Sequence, residues 1–343
     1  MIREVREVSV DKSLSIKEIA DLAGVSVATI SRVMNKKGGY SAQTERKVKE
    51  VIKKYEYMPN LTAKSLRTNQ SRLIGLVVPD IANEYFAKLV LELQVALFSY
   101  DYLTMVCNVN ESPELEQKHI KALIAQNVSG LILISDTSDY RDTQNIPTVY
   151  IDRRPMKEGG SKTEVIVESD NVMGGYLATR ELIEHGCKKI AFLTDLANES
   201  SKIGRYEGYC KALAEAAFPI TPALIMRVKT VNVDDALAVI AENLRNGLEF
   251  DGVVCTTDSI AIGTILALRD AGKSVPGDVK VTGFDDVSLT TIFKPSLTSV
   301  HQYGDLMAKK VADLMMDLIN RRPIEIPHHI IPVKLVPRES TRG

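Results

Sequence analysis

The chain has 343 residues, 45% apolar and 25% charged, which is material for two or three globular domains with sizeable cores. Its net charge of −1 hides a split: residues 1–72 hold 15 Lys and Arg against 8 Asp and Glu (net +7), leaving 28 against 36 (net −8) for residues 73–343. A basic front on an acidic body suits a domain that meets phosphates joined to one that does not.

Cys107, Cys187, Cys210 and Cys255 form no C-x-x-C pair, so neither a zinc site nor a disulfide framework is expected. No apolar run reaches the roughly 20 residues that span a bilayer. The opening MIREVREVSVDKSL lacks the apolar core of a signal peptide, so a cytoplasmic protein with no membrane partner is expected.

Residues 1–14 read as a flexible arm, in which Glu4 and Glu7 offset Arg3 and Arg6. Ser15 with Glu18 three positions on is an S-x-x-E capping box, so a helix is predicted from Ile16. Ile16, Ile19, Ala20 and Ala23 share one face at helical spacing, and Gly24 supplies the turn. Ser26 caps a second helix that buries Val25, Ile30 and Val33 and turns Val27, Ala28, Thr29, Ser31 and Arg32 toward solvent. Two short helices across a Gly turn are either a plain helical hairpin or a helix-turn-helix whose second helix enters a major groove; small side chains and one Arg at its leading end favour the latter. KKGGY then forms a turn. Ser41 caps a third helix with Val48, Val51, Ile52 and Tyr55 on its apolar face and Arg46, Lys47, Lys49, Lys53 and Lys54 around it, mostly a solvated face. This three-helix domain ends near Tyr57.

Met58 and Pro59 break the pattern, and Asn60 can cap the short segment LTAKSLRTNQ. About ten residues are too few for a stable isolated helix. Leu66 has no core of its own here, which leaves a plain linker, a domain contact, a contact with a second subunit, or an apolar wedge between base pairs.

From Leu73 the texture alternates. LIGLVVP, LTMVCNV, GLILIS, KIAFLT, DGVVCTT and KVTGF read as buried parallel strands, with amphipathic helices at 84–100, 114–126, 172–185, 205–217, 234–246 and 259–271. Such alternation gives a doubly wound α/β fold, in which ligands sit beyond the carboxyl ends of the strands. Those loops carry PDIAN (79–83), IDRR (151–154), ESSKIGR (199–205), TTDS (256–259) and FDD (284–286). Asp80, Asn83, Asp152, Arg205, Asp258 and Asp285 are a polar set without a nucleophile and base, and Tyr85 and Phe86 add flat apolar faces, a mixture suited to gripping a polyol such as a sugar. Each acid taken singly is as well explained by a helix cap or a loop ion pair.

No phosphate-binding glycine loop and no nucleophile elbow is present, so an enzyme is not expected, nor a cofactor. His119, His185, His301, His328 and His329 are scattered, and adjacent His328 and His329 on a strand point to opposite faces, a poor metal pair. Asp285 with Asp286 is more simply a turn than a metal site.

The linked stretches IKEIADLAGVSVATISRVMN, YSAQTERKVKEVIKKYEYMPN, NLTAKSLRTNQSRLIGLVVPDIANEYF, ESDNVMGGYLATRELIEHG, RYEGY and GTILALRDAGKSVPGDVKVTGFDD resemble the LacI/GalR family of bacterial transcription regulators, over nearly the whole chain. The resemblance implies a helix-turn-helix domain at 1–58, a hinge helix and linker at 59–72, and a two-lobed periplasmic-binding-protein-like effector and dimerisation domain at 73–343. Its N-lobe would take about 73–168 and 303–332, its C-lobe about 169–302 and 333–343. It implies that Val27, Ala28 and Arg32 read bases in operator double-stranded DNA, with Ser26, Thr29, Ser31, Asn35 and Tyr40 nearby. Asn60, Ala63, Lys64 and Leu66 would act from the hinge, Ala63 in the minor groove and Leu66 as a wedge. A small-molecule sugar or sugar-phosphate effector would contact Asp80, Asn83, Tyr85, Phe86, Asp152, Arg153, Arg205, Thr257, Asp285 and Gln302. Thr257 stands where relatives often have an Asn ligand, and Lys64 where Arg is common. No heptad tail follows VPREST, so a homodimer is expected. The competing expectations are a cytoplasmic sugar-binding receptor, and a regulator that answers to a corepressor or a phosphoprotein partner.

Overall fold

The computed structural model describes residues 14–35, 37–57, 71–134, 143, 146–152, 165–196 and 200–342. The chain divides into two compact units, Met1–Ser71 and Arg72–Gly343.

In the first unit, α1 (Ile16–Ala23), α2 (Val27–Met34) and α3 (Ala42–Lys54) each begin at a serine cap. Ser15 and Glu18 make the reciprocal capping box: the Ser15 N–H donates to Glu18 Oε2 at 2.7 Å and the Glu18 N–H to Ser15 Oγ at 3.3 Å. Gly24 ends α1 at φ 61°, a left-handed conformation that costs glycine little. Ile19, Ala20, Ala23, Ile30, Val33 and Val48 form the core. Two expectations are corrected. Val25 and Val27 are both half-buried at the rim of that core. Tyr55 is exposed, because α3 stops at Lys54 and Glu56 takes φ 46°; the reversed chain brings Tyr57 onto the core instead, its N–H donating to Ile52 O.

The second unit holds two six-stranded sheets. The strands of the first, β1 (Leu73–Val78), β2 (Leu103–Asn108), β3 (Gly130–Leu133), β4 (Thr148–Ile151), β5 (Val165–Ser169) and β11 (His328–Ile331), are all parallel in the order β11-β5-β4-β3-β1-β2. Helices α4 (Glu84–Phe98) and α10 (Gly304–Ile319) cover one face through Leu89, Leu93, Met307 and Val311, and α5 (Pro113–Ala125) covers the other through Ile120 and Leu123.

The second sheet runs β12-β10-β9-β8-β6-β7, from β6 (Ile190–Asp195), β7 (Ile225–Val228), β8 (Gly252–Cys255), β9 (Lys280–Asp285), β10 (Thr298–Gln302) and β12 (Val333–Val336). Only the β10–β12 pairing is antiparallel. Helices α6 (Asn171–Glu184) and α7 (Ser200–Glu215) pack on one face through Ala178, Leu182, Tyr209 and Leu213; α8 (Val233–Arg245) and α9 (Asp258–Asp270) pack on the other through Ala236, Ile240, Ile260 and Leu268. The chain passes between sheets three times, after β5, after β10 and between β11 and β12.

Strand β2 was expected to be buried. It is an edge strand, with Leu103 and Met105 exposed on alternate positions. ESSKIGR was expected as a loop, yet from Ser200 it forms the first turns of α7.

Candidate functional site

The leading end of α2 is the first candidate. Ser26 Oγ accepts from the Thr29 N–H at 3.1 Å, and the Ser26 and Thr29 hydroxyls are 2.9 Å apart, which fixes the first turn. Ile30 and Val33 turn inward, leaving Ala28, Arg32 and Asn35 exposed and Thr29, Ser31 and Tyr40 half-exposed. Asn35 closes the helix by donating to Ser31 O at 2.7 Å. Among the described residues Arg32 has no acidic partner, so its guanidinium stays available for a base edge or a phosphate. Asn60, Ala63, Lys64 and Leu66 lie outside the described residues.

The second candidate is a cleft of about 560 Å³ within the Arg72–Gly343 unit, lined at strand ends of both sheets. Eight of the expected effector residues line it: Asp80, Asn83, Tyr85, Phe86, Asp152, Arg205, Thr257 and Asp285. Arg153 lies outside the described residues. Gln302 is not in the lining; it is buried behind Asp285 and donates to Asp285 Oδ1 at 2.7 Å.

Several of these groups also serve the helices they start. Asn83 Oδ1 caps α4 by accepting from the Tyr85 N–H at 2.9 Å, and Thr257 caps α9. Asp152, at φ 55° just after β4, accepts from the Tyr85 hydroxyl and from the Ser169 N–H, each at 2.7 Å. Burial pushes its carboxyl up, against those two bonds and the Arg205 charge, and it remains above the usual carboxylate range. Burial likewise raises Asp285 to about 7, with Arg205 pulling down and Asp152 pushing up. Behind them Asp258 is held well above its ordinary value by burial and by the Asp285 charge.

Arg205 is the central cation. It is buried; Nε donates to Asn171 Oδ1 at 2.9 Å, Nη1 donates to Thr256 O at 2.5 Å, and Cζ lies 3.5 Å from the Phe284 ring centroid. Tyr85 and Phe86 pack with ring centroids 5.4 Å apart. Across the cleft, Glu84 at the start of α4 accepts from Ser288, which follows β9 in the other sheet: 2.7 Å from its N–H and 2.8 Å from its hydroxyl. Burial raises the Glu84 carboxyl, but bonds from Lys88 and Ser288 outweigh that and leave it below its ordinary value.

Asn110, Glu111, Asp195, Ser201, Lys202 and Lys229–Asn232 also line the cleft. None was singled out from sequence, although Ser201 and Lys202 fell inside the quoted ESSKIGR segment. Asp195 ends β6, and Lys229 and Asn110 follow β7 and β2, so the strand-end rule reaches Asp195 and Asn110 directly and Lys229 once β7 is recognised. Asp286 serves the scaffold, accepting from Arg338 Nη2 at 2.6 Å and facing His301 Nδ1 at 3.0 Å. Among the described residues no group of three His, Cys, Asp or Glu is placed to hold a metal ion.

An exposed, capped helix-turn-helix in one unit and a ligand-sized polar cleft in the other define a ligand-responsive DNA-binding protein. The pattern of the bacterial regulatory proteins of the lacI family matches residues 15–60, and that of the periplasmic binding protein-like domain matches residues 179–341. The HTH-type transcriptional regulator RegA of Clostridium saccharobutylicum is 36% identical over 95% of this chain and 99% of its own length. The ribose operon repressor of Halalkalibacterium halodurans (strain ATCC BAA-125 / DSM 18197 / FERM 7344 / JCM 9153 / C-125) is 34% identical over 96% of this chain and 97% of its own. The solved complex of the transcriptional regulator CelR with cellobiose is 28% identical, has a TM-score of 0.72, and covers 95% of this chain and 99% of its own. The chain belongs to the LacI family: it is a DNA-binding transcriptional regulator and not an enzyme.

Proposed function

We propose that this protein is a cytoplasmic, homodimeric repressor of a carbohydrate-utilisation operon, whose hold on a pseudo-palindromic operator is set by a sugar bound in the cleft. The observation that carries the reading is the cleft itself: carboxylates, one buried Arg and two aromatic faces converge there, and among the described lining residues no nucleophile is paired with a base, which is equipment for holding hydroxyl groups. The relatives support the chemistry, one being a ribose operon repressor and one a regulator complexed with cellobiose. No described helix is long and apolar enough to cross a membrane, in keeping with a regulator that meets DNA.

Two copies are the natural occupants of one exposed surface. Leu91, Val95 and Phe98 lie at i, i+4 and i+7 on α4 with Phe98 67% exposed, and Leu103 and Met105 are exposed on neighbouring edge strand β2. An unpaired strand edge beside an apolar helical stripe is a surface that a second subunit covers. A dimer then presents two α2 helices to two half-sites.

Binding of the full chain to its own upstream DNA, followed by fluorescence anisotropy with and without saccharide, tests the reading. Arg32→Ala should cost about 1–3 kcal/mol and relax base preference at one position per half-site. Unchanged operator discrimination would remove Arg32 from base readout. Indifference of the wild type to every upstream duplex at low salt would remove the function.

A further inference from the structure

Building on the reading of the cleft as the effector site, we infer that Asn171, which does not itself line the cleft, is a positioning residue: it holds Arg205 toward the ligand and ties that hold to the angle between the two lobes. Asn171 is the first residue of α6, two positions past the end of β5, and it is buried. The two ends of its amide face opposite demands. Arg205 Nε can only donate, and it donates to Asn171 Oδ1 at 2.9 Å; Ser169 O can only accept, and it accepts from Asn171 Nδ2 at 3.0 Å. An asparagine amide meets both. Aspartate has no donor for Ser169 O, and an apolar side chain serves neither group. Glutamine is one methylene longer, in a place where a Cβ built on Gly204 would already stand 3.0 Å from the Asn171 Cβ.

The bond to Ser169 spans a pivot. Strand β5 belongs to the first sheet and α6 packs on the second, and the chain crosses from one to the other at Asp170. On the first-sheet side the Ser169 N–H donates to Asp152 Oδ1, so bonds of 2.7, 3.0 and 2.9 Å run in sequence from Asp152 through Ser169 and Asn171 to Arg205. They join the cleft carboxylate of one lobe to the cleft cation of the other through one crossing segment, and all four residues are more than nine-tenths buried. The other holds on Arg205 lie within the second lobe: Thr256 follows β8 and Phe284 is in β9. Among the described residues, Asn171 is therefore the partner of Arg205 that also bonds to the first lobe.

When the lobes rotate, the torsions at the ends of the crossing segment absorb the change, and Ser169 O moves relative to α6. A buried carbonyl left without its donor is costly, as is a guanidinium N–H left without its acceptor. The Asn171 amide follows Ser169 O, and Arg205 Nε follows the amide. Lobe angle thus sets the direction of the central cation.

Two variants of the full chain separate the two bonds. Asn171→Asp keeps an acceptor for Arg205 and loses the donor to Ser169 O, whereas Asn171→Ala loses both. Solvent exchange of the Arg205 Nε–H, followed by NMR without ligand, should be at least about tenfold faster than wild type in Asn171→Ala and within about threefold of it in Asn171→Asp. Asn171→Ser, too short for either bond, takes the place of the alanine variant if that one does not fold. Exchange as slow as wild type in the variant that loses both bonds overturns the hold on Arg205. Affinity for the duplex upstream of its own gene, measured by anisotropy with and without ribose or cellobiose, reads the tie to lobe angle. Asn171→Asp should bind the sugar within about threefold of wild type while the sugar's effect on DNA affinity falls about tenfold; a residue that only stabilised the fold would change neither, or lower both together. An undiminished DNA response in Asn171→Asp overturns the relay. A wild type that binds DNA but ignores both sugars overturns the tie and the effector reading together, and the exchange rates still decide the hold on Arg205.

Discussion

Replacing Gly175 by Ala tests whether the approach of two helix backbones sets the position of the central cation. A Cβ built on Gly175 falls 2.0 Å from the Arg205 carbonyl oxygen, and one on Gly208 falls 2.0 Å from Val172 O, so α6 and α7 cross with almost nothing between them. Ordinary contact begins near 3.4 Å, so Gly175→Ala drives the Arg205 backbone outward by about 1.4 Å. Hydrogen bonds of 2.9 Å to Asn171 and 2.5 Å to Thr256 O would then open beyond bonding range. Gly→Ala inside a helix normally stabilises by about 0.5–1 kcal/mol, whereas overpacking costs about 1–3 kcal/mol or more. We expect a net loss near 2 kcal/mol, a fall in Tm of about 5 °C, and saccharide affinity reduced about tenfold or more. Thermal unfolding of the full chain, with Gly304→Ala as the control where a Cβ meets nothing within 4 Å, reads the effect. A Gly175→Ala protein as stable as the wild type, or more so, would refute the close-approach argument.

Two further outcomes follow from the cleft. Asp285 is raised to about 7 from an ordinary value of 3.8, so the folded state keeps a proton that the unfolded state has lost between about pH 4 and 7. The sign is therefore a stability that declines as pH rises through that window, by about 4 kcal/mol for this group. Urea unfolding should show Asp285→Asn gaining on the wild type by about 3 kcal/mol more at pH 7.5 than at pH 4.5, the share of the change that falls between those two pH values; an equal difference at both would contradict the assignment. Ser288→Ala deletes the hydroxyl donor to Glu84 across the cleft but keeps the N–H bond. Saccharide affinity measured by titration should drop about fivefold, the equivalent of about 1 kcal/mol for one hydrogen bond, and an unchanged affinity would exclude this bridge from the bound state.

Much of this was legible in the sequence because local chemistry and global fold agree in the places that were read. Ser15, Ser26 and Ser41 cap their helices as their spacing indicates, and Asp80, Asn83, Asp152 and Asp285 are found at strand ends because parallel sheets collect such residues there. What was missed has a common cause. Strands β4, β5, β7, β10 and β12 are four or five residues long and mix polar with apolar positions, unlike the equally short but unbroken apolar β3 and β8, and loss of β7 took the Lys229–Asn232 loop with it. The Ser-Ser-Lys start of α7 reads as loop because it is polar, yet Ser201 and Lys202 face a cavity and need polarity there. Tyr55 and Tyr57 exchange roles because one positive-φ residue, Glu56, turns the chain, and nothing in the helical spacing foretells it.

The energetics of the proposed switch divide between the crossing segments and the other contacts that join the two sheets. At the joint the crossing segments are bound to each other and to the pocket: Ser169 N–H to Asp152, Asp170 N–H to Ile331 O at 2.8 Å, and Gln302 to Asp285. These are buried bonds, and breaking one strands a polar group, so a rotation that keeps them intact is cheaper than any that does not. Outside those segments, half-buried Glu84 and exposed Ser288 also join the two sheets, through bonds each worth about 1 kcal/mol. A ligand moves a two-state equilibrium only by its difference in affinity for the two states, so contacts that persist in both contribute nothing. The coupling energy must therefore come from groups that meet the sugar in one lobe arrangement alone, such as Asp152 on the first sheet acting together with Arg205 and Asp285 on the second.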